Sequence, residues 1–164
     1  MTGLKIISIC VLIKMAFIIK GYRTELISDD CMMCLCEAAT GCNLTAGCQS
    51  TYEGAYFCGP FHISRAYWLD AGSPTLNYVD DPSTEDFKEC TQDYYCSTIT
   101  VENYVSKTVI SKGIDCDGDN LINCVDYAIV HKRGGYNCNQ TDDRPTRFYK
   151  RFYDCWNRQN KTQV

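Results

Sequence analysis

Apolar positions along this chain fall at helical spacing in several separate stretches, with segments dense in Gly, Pro, Asp and Asn between them. Ser28, Asp29 and Asp30 offer N-cap side chains to a compact helix over residues 32–39, and Gly41 supplies its stop. Residues 42–58 are small, polar and glycine-containing, which reads as loops or a short hairpin. Gly59-Pro60-Phe61-His62-Ile63 starts a second short helix or turn leading to Tyr67 and Trp68. Residues 70–84, with Gly72, Pro74, Asp80, Asp81 and Pro82, show no apolar period and form a surface loop. Ser83 or Thr84 with Glu85 and Asp86 then opens a helix over Phe87, Cys90 and Tyr94. Ile99, Tyr104, Val105 and Val109 continue on helical spacing up to Gly113, so these are the main core helices. A further helix over residues 126–132 ends at Gly134-Gly135. A last one over residues 145–157 begins with Pro in its first turn and carries Phe148, Phe152 and Trp156 on one face. Arg147, Lys150 and Arg151 make a basic face on it that reads as solvated.

Composition adds a compartment to this pattern. A chain of 164 residues with 45% apolar residues has room for one domain and a real core. Thirteen cysteines exceed what packing requires and point to a disulfide framework in an oxidising compartment. Lys5 precedes an apolar run, residues 6–13, which with residues 15–19 makes a signal-peptide-like segment shorter than a membrane span; an uncleaved anchor is the alternative. Residues 1–21 are therefore assigned to a secretory signal and 22–164 to a single domain with its core at 31–155. Cleavage removes Cys10 and leaves an even set that can pair completely: Cys31, Cys34, Cys36, Cys42, Cys48, Cys58, Cys90, Cys96, Cys116, Cys124, Cys138 and Cys155. It also removes Lys5, Lys14 and Lys20 with no acid, taking the formal charge from −4 to −7. That acidity argues against nucleic acid and against capture by anionic surfaces. Sequons at Asn43, Asn139 and Asn160 are consistent with a secreted glycoprotein.

The order of cysteines and their neighbours resembles the destabilase family, the invertebrate-type lysozymes. The matching pieces are CMMCLCEAATGC, CGPFHI, AYWLDAG, the Cys90 and Cys96 pair followed by VENYV, and CVDYAIVHKRGG closing through Cys138 and Cys155. The resemblance implies a mainly α, disulfide-dense α+β lysozyme-like fold of short helices with a minor hairpin and loop region. It also implies a cleft that hydrolyses the β-1,4 bond of peptidoglycan, between N-acetylmuramic acid and N-acetylglucosamine. That chemistry takes two carboxyls, one protonated to feed the leaving oxygen and one ionised to attack or stabilise the sugar cation.

This chain departs from the family at both positions. Ala39 stands where the resemblance places the acid, and Thr51 where it places the second carboxylate. Glu37 and Glu53 are the nearby stand-ins. On a helix Glu37 lies about 200° from Ala39 and faces elsewhere, and Glu53 sits in a loop of open direction. The serine credited with isopeptide hydrolysis in some relatives is also missing from Gly54-Ala55-Tyr56-Phe57. His131 is then left with no hydroxyl to activate, and reads as a structural residue favourable to a helix C-terminal dipole. Ala71 and Thr100 replace two further family cysteines, so one bridge is absent as a unit.

A second constellation lies at residues 115–126. Asp115, Asp117, Asp119, Asn123 and Asp126 occupy positions 1, 3, 5, 9 and 12 of a twelve-residue loop, with the Leu121 carbonyl at position 7. This register is that of calcium loops of the EF-hand type. Asn120 at position 6 replaces the glycine preferred for a positive φ, and Ile122 fits position 8. A structural Ca²⁺ is one reading; an acidic turn pinned by a Cys116–Cys124 bridge is the other. Tyr56, Phe61, His62, Tyr67, Trp68 and His131, with Tyr52 nearby, either line a sugar-binding cleft or belong to the core.

The resulting expectation is a secreted, monomeric, lysozyme-like domain that recognises peptidoglycan or related amino-sugar glycans without efficient hydrolysis and needs no catalytic cofactor. An active glycoside hydrolase using Glu37 or Glu53 is the alternative. A secreted structural or immune protein that keeps the fold without binding sugar is a third class.

Overall fold

A computed structural model describes residues 26–50, 56–138 and 146–162. The signal-like segment, Thr51, Tyr52, Glu53, the Asn139 sequon and Pro145 lie outside them. The elements in order are helix α1 (Asp29–Thr40), strands β1 (Cys48–Ser50), β2 (Tyr56–Cys58) and β3 (Ile63–Ser64), and helices α2 (Arg65–Asp70), α3 (Thr84–Gln92) and α4 (Tyr94–Thr108). A 3-10 turn (Ile110–Lys112), α5 (Cys124–Arg133), a second 3-10 turn (Gly135–Asn137) and α6 (Arg147–Thr162) follow. The architecture is mainly helical with one small antiparallel sheet in the order β1-β2-β3. Among the described residues no helix is long and apolar enough to cross a membrane.

Helix ends follow local chemistry. The Ser28 hydroxyl accepts from the Cys31 N–H at the start of α1, and Gly41, at φ 78°, closes it with Cys42 N–H donating back to the Cys36 carbonyl. Ser83 and Asp86 form a capping box on α3. Asp93 ends α3 and caps α4, accepting from the Cys96 N–H at 2.8 Å. That break corrects part of the expected core face: Tyr104, Val105 and Val109 are buried as the spacing predicts, but Tyr94 and Ile99 are not, and Ser97, Thr100 and Val101 point inward beside them. The capping aspartate resets the helical phase, so periodicity carried across it misplaces the residues nearest the break. Gly59–His62 is a turn and no helix; α2 begins after Ser64, whose hydroxyl accepts from the Tyr67 N–H.

The core is layered around α1, whose Cys34, Leu35 and Cys36 are fully enclosed. Against it pack α6 through Phe148 and Phe152 and α5 through Ala128 and Val130; Val101 and Val105 of α4, which packs on α5, complete the same cluster. Six disulfides join these pieces and use every described cysteine: Cys31–Cys124, Cys34–Cys155, Cys36–Cys42, Cys48–Cys58, Cys90–Cys96 and Cys116–Cys138. The expected Cys116–Cys124 bridge is thus replaced. Cys124 opens α5 facing α1 and meets Cys31, while Cys116 turns toward Cys138. Where the resemblance leaves a bridge missing, Thr100 is buried with its hydroxyl donating to the Cys96 carbonyl at 2.9 Å. Ala71 lies alongside, its carbonyl accepting from Asn103, one turn further along α4.

Candidate functional site

A cavity of about 360 Å³ opens where four parts of the chain converge. Ala38 and Ala39 contribute the end of α1, and Phe57, Phe61 and His62 the sheet and its turn. His131 and Lys132 come from the end of α5, and Arg147, Phe148 and Arg151 from the start of α6. The turn is fixed by two contacts: the Thr40 hydroxyl donates to the Pro60 carbonyl at 2.7 Å, and Gly59 at φ 71° lies against the Thr91 carbonyl. His62 follows at φ 54°, a left-handed conformation that costs an L residue about 1 kcal/mol. Its ring stacks on Phe57 at 5.7 Å.

The predicted site residues separate into two groups. Phe61, His62 and His131 line the cavity, with Ala39 presenting a methyl group to it. Tyr67 and Trp68 do not: Tyr67 stacks on Tyr104 at 3.7 Å, and the enclosed Trp68 donates its indole N–H to the Pro74 carbonyl and packs on Phe87. As sugar platforms they are corrected to core, because α2 turns both rings inward. Tyr56 is exposed on the hairpin and lies outside the cavity lining. Glu37 is not among the residues lining the cavity; its two carboxylate oxygens accept from one Arg158 guanidinium nitrogen on α6, each at 2.8 Å. The basic face expected to be solvated is divided: Lys150 and Arg147 are exposed and Arg151 is half-buried, and the two arginines also border the cavity. Sequence reasoning missed these two and Lys132; their spacing of one turn on α6 is the only local signal.

His131 is held at both nitrogens. Phe61 offers only a carbonyl to Nε2, at 2.9 Å, so Nε2 carries the proton and Nδ1 accepts from the Tyr67 hydroxyl at 3.1 Å. Burial, helped by Lys132 and His62, lowers its pKa to about 4. His131 is therefore neutral, which corrects the expected cation at the helix dipole, and its lone pair is already committed. His62 is also pushed below its ordinary value, by burial first and then by Lys132.

The neutral His131 makes stability pH-dependent. Its folded pKa lies below the unfolded 6.5, so the unfolded chain takes up the proton first as pH falls. The contribution is complete above pH 6.5 and is lost on descent to about pH 4. With one edge of the ring facing the cavity, we expect a loss on the order of 2 kcal/mol. Urea titrations at neutral and acid pH measure it; a His131→Gln variant should show a correspondingly flatter profile, and an unchanged slope defeats the assignment.

The acidic loop closes on itself. Asp115 accepts from the N–H groups of Gly118 and Asn120, Asp117 from that of Asp119, and Asp119 from that of Leu121. Buried Asp126 accepts from Cys116 and Asn123, completing a capping box on α5. Asn120 adopts φ 67°, the positive value its position demands. Asp115, Asp117 and Asp126 bring carboxylate oxygens within 4.8 Å of one another, whereas Asp119 is outside that group and Leu121 and Ile122 are exposed. Backbone donors hold the Asp115 carboxyl below its usual range; burial, with Asp119 and Asp126 adding, raises that of Asp117.

The destabilase family model matches residues 28–155. The chain belongs to the destabilase family. It is 32% identical over 112 residues to a lysozyme of Magallana gigas, covering 68% of this chain and 69% of the relative. The crystal structure of Tapes japonica lysozyme shares the fold, with a TM-score of 0.57 at 24% identity over 80% of this chain and 87% of that one. A Meretrix lusoria lysozyme, solved in complex with Aeromonas hydrophila PliI, superposes with the same TM-score of 0.57 at 26% identity, covering 83% of this chain and 90% of that one. Within this destabilase domain Ala38 and Ala39, at the end of α1, line the cavity.

Proposed function

We propose that this destabilase-family protein is a secreted glycan-recognition protein that binds peptidoglycan or related amino-sugar glycans and hydrolyses them poorly or not at all. The observation that carries the reading is the cavity wall: Ala39 contributes a methyl group, and no carboxylate lines the cavity among the described residues. Glycoside hydrolysis needs two carboxyls a few ångströms either side of the bond, and removing a positioned general acid costs about 10²- to 10⁴-fold. Glu37 is a poor substitute, because it does not line the cavity and its carboxylate is paired with Arg158. Six disulfides support an oxidising, extracellular setting.

The test is mature protein on insoluble peptidoglycan, reading pull-down and release of reducing ends together. Capture with release about 100-fold below that of an active relative is expected. Release comparable to the relative, abolished by Glu53→Gln, establishes the active-hydrolase alternative instead.

For the acidic loop we propose a weak structural Ca²⁺ held by Asp115, Asp117 and Asp126, bracing the start of α5. Convergence of the three carboxylates and the positive φ at Asn120 support it. Since every carboxylate already accepts a backbone N–H, the loop stands without the ion, and binding adds modestly to stability. Calorimetric titration of chelator-treated protein should give heat and a rise in Tm of a few degrees; neither signal means an acidic turn alone.

A further inference from the structure

In place of the paired acids of a glycosidase, the cavity carries fixed positive charge. Lys132 approaches from α5, and Arg147 and Arg151, one helical turn apart, from α6. Among the described residues no carboxylate pairs with any of the three; Lys132 lies 5.9 Å over the Phe148 ring. The chain as a whole has a formal charge of −4, so this concentration of cations runs against its overall balance. Like charges around one partly enclosed volume repel, and that repulsion is relieved by a bound anion. Burial lowers the pKa values of His62 and His131, and Lys132 adds to the lowering of both.

The remaining wall is aromatic. Phe57, half-buried, and the buried Phe61 and Phe148 line it beside the cations, and the volume suits a ligand at the small end of the range for specific pockets. A guanidinium pair offers forked donors that match the two or three oxygens of a carboxylate or sulfate. We infer that the cavity is a charge-selective saccharide site, taking a sugar that carries an ionised carboxylate or sulfate. The anionic group sits among Arg147, Arg151 and Lys132, and the ring lies against the apolar wall at Phe57. The inference rests on the reading of the cavity as a saccharide site and adds the charge of the ligand.

The experiment titrates the full mature chain with three matched probes in a calorimeter. Chitotetraose is neutral, hyaluronan tetrasaccharide alternates the same amino sugar with a uronate, and sulfated chitotetraose carries sulfate alone. At low salt we expect at least one acidic probe to bind about tenfold or more tighter than chitotetraose, with the preference shrinking below about threefold near 0.5 M salt. Arg147→Gln/Arg151→Gln should remove the preference at low salt as well. Arg147→Gln alone, at an exposed position, provides a version that keeps the fold and should lose part of it. The two acidic probes separate carboxylate from sulfate. Equal affinity for neutral and acidic probes, no binding of either acidic probe, or a preference unchanged in the double variant each overturns the inference. Equal affinity leaves glycan recognition standing. Tight acidic binding without peptidoglycan capture removes peptidoglycan as the ligand and leaves the charge selectivity intact.

Discussion

Gly59→Ala destabilises this protein by more than about 4 kcal/mol, enough to unfold much of it at ambient temperature. A Cβ at this position would stand 1.6 Å from the Thr91 carbonyl oxygen and 2.6 Å from its carbon. Both are backbone atoms at the end of α3, and that helix end is held by Thr91, a fully buried residue whose hydroxyl donates to the Phe87 carbonyl at 2.7 Å. Neither partner can withdraw without moving α3 or the turn carrying Phe61 and His62. Gly41→Ala is the control. It shares the positive φ, at 78°, but has nothing within 4 Å, so it should cost only about 1 kcal/mol. Urea unfolding of the oxidised variants measures both. Equal losses would mean that conformational strain, and not close approach, is what glycine relieves at residue 59. A folded Gly59→Ala protein with a displaced turn should also lose cavity binding, since Phe61 and His62 travel with it.

The second large effect concerns the bridge between the first and last helices. Replacing Cys34 and Cys155 together by alanine should cost about 4 kcal/mol, against about 2 kcal/mol for the Cys36 and Cys42 pair. The two bridges span sequence separations of 121 and 6. The Cys31–Cys124 and Cys116–Cys138 bridges already join the same regions, so the loop that Cys34–Cys155 closes is a path of roughly 28 residues and not the full separation. Both sulfurs are enclosed between α1 and α6, and their loss also leaves a gap in the densest part of the core. Denaturant midpoints of the two double variants check the ranking. Equal midpoints would show that α1–α6 packing, through Leu35 and Phe152, holds these helices together without the covalent link.

Legibility in the sequence tracked the range of the interactions concerned. The α1 start at Ser28 and stop at Gly41, the α3 cap at Ser83, and the placement of α5 and α6 were readable because each depends on neighbours a few residues away. Even there, Asp93 defeated an uninterrupted helical period by ending one helix and starting the next. That residue 39 is an alanine and no acid was equally plain, being a matter of one residue type at one position. Tyr67 and Trp68 were not readable as core: aromatics beside cysteines suit a cleft or an interior equally, and only the orientation of α2 assigns them. Disulfide partners were likewise open, since even the short Cys116–Cys124 spacing proved not to be bonded.

By itself, then, the sequence determined the helical segments, the even set of cysteines, the family frame and the absence of an acid at Ala39, all properties of local pattern and residue identity. Tertiary structure decided that Arg158 pairs with Glu37, that His131 is held neutral between Tyr67 and Phe61 at the cavity wall, and that Lys132, Arg147 and Arg151 meet around one cavity. The physical reason is that charge and hydrogen bonding at the site act through space. They bring together residues 57, 132 and 147, whose proximity is set by the packing of α1, α5 and α6 and by the bridges that lock it.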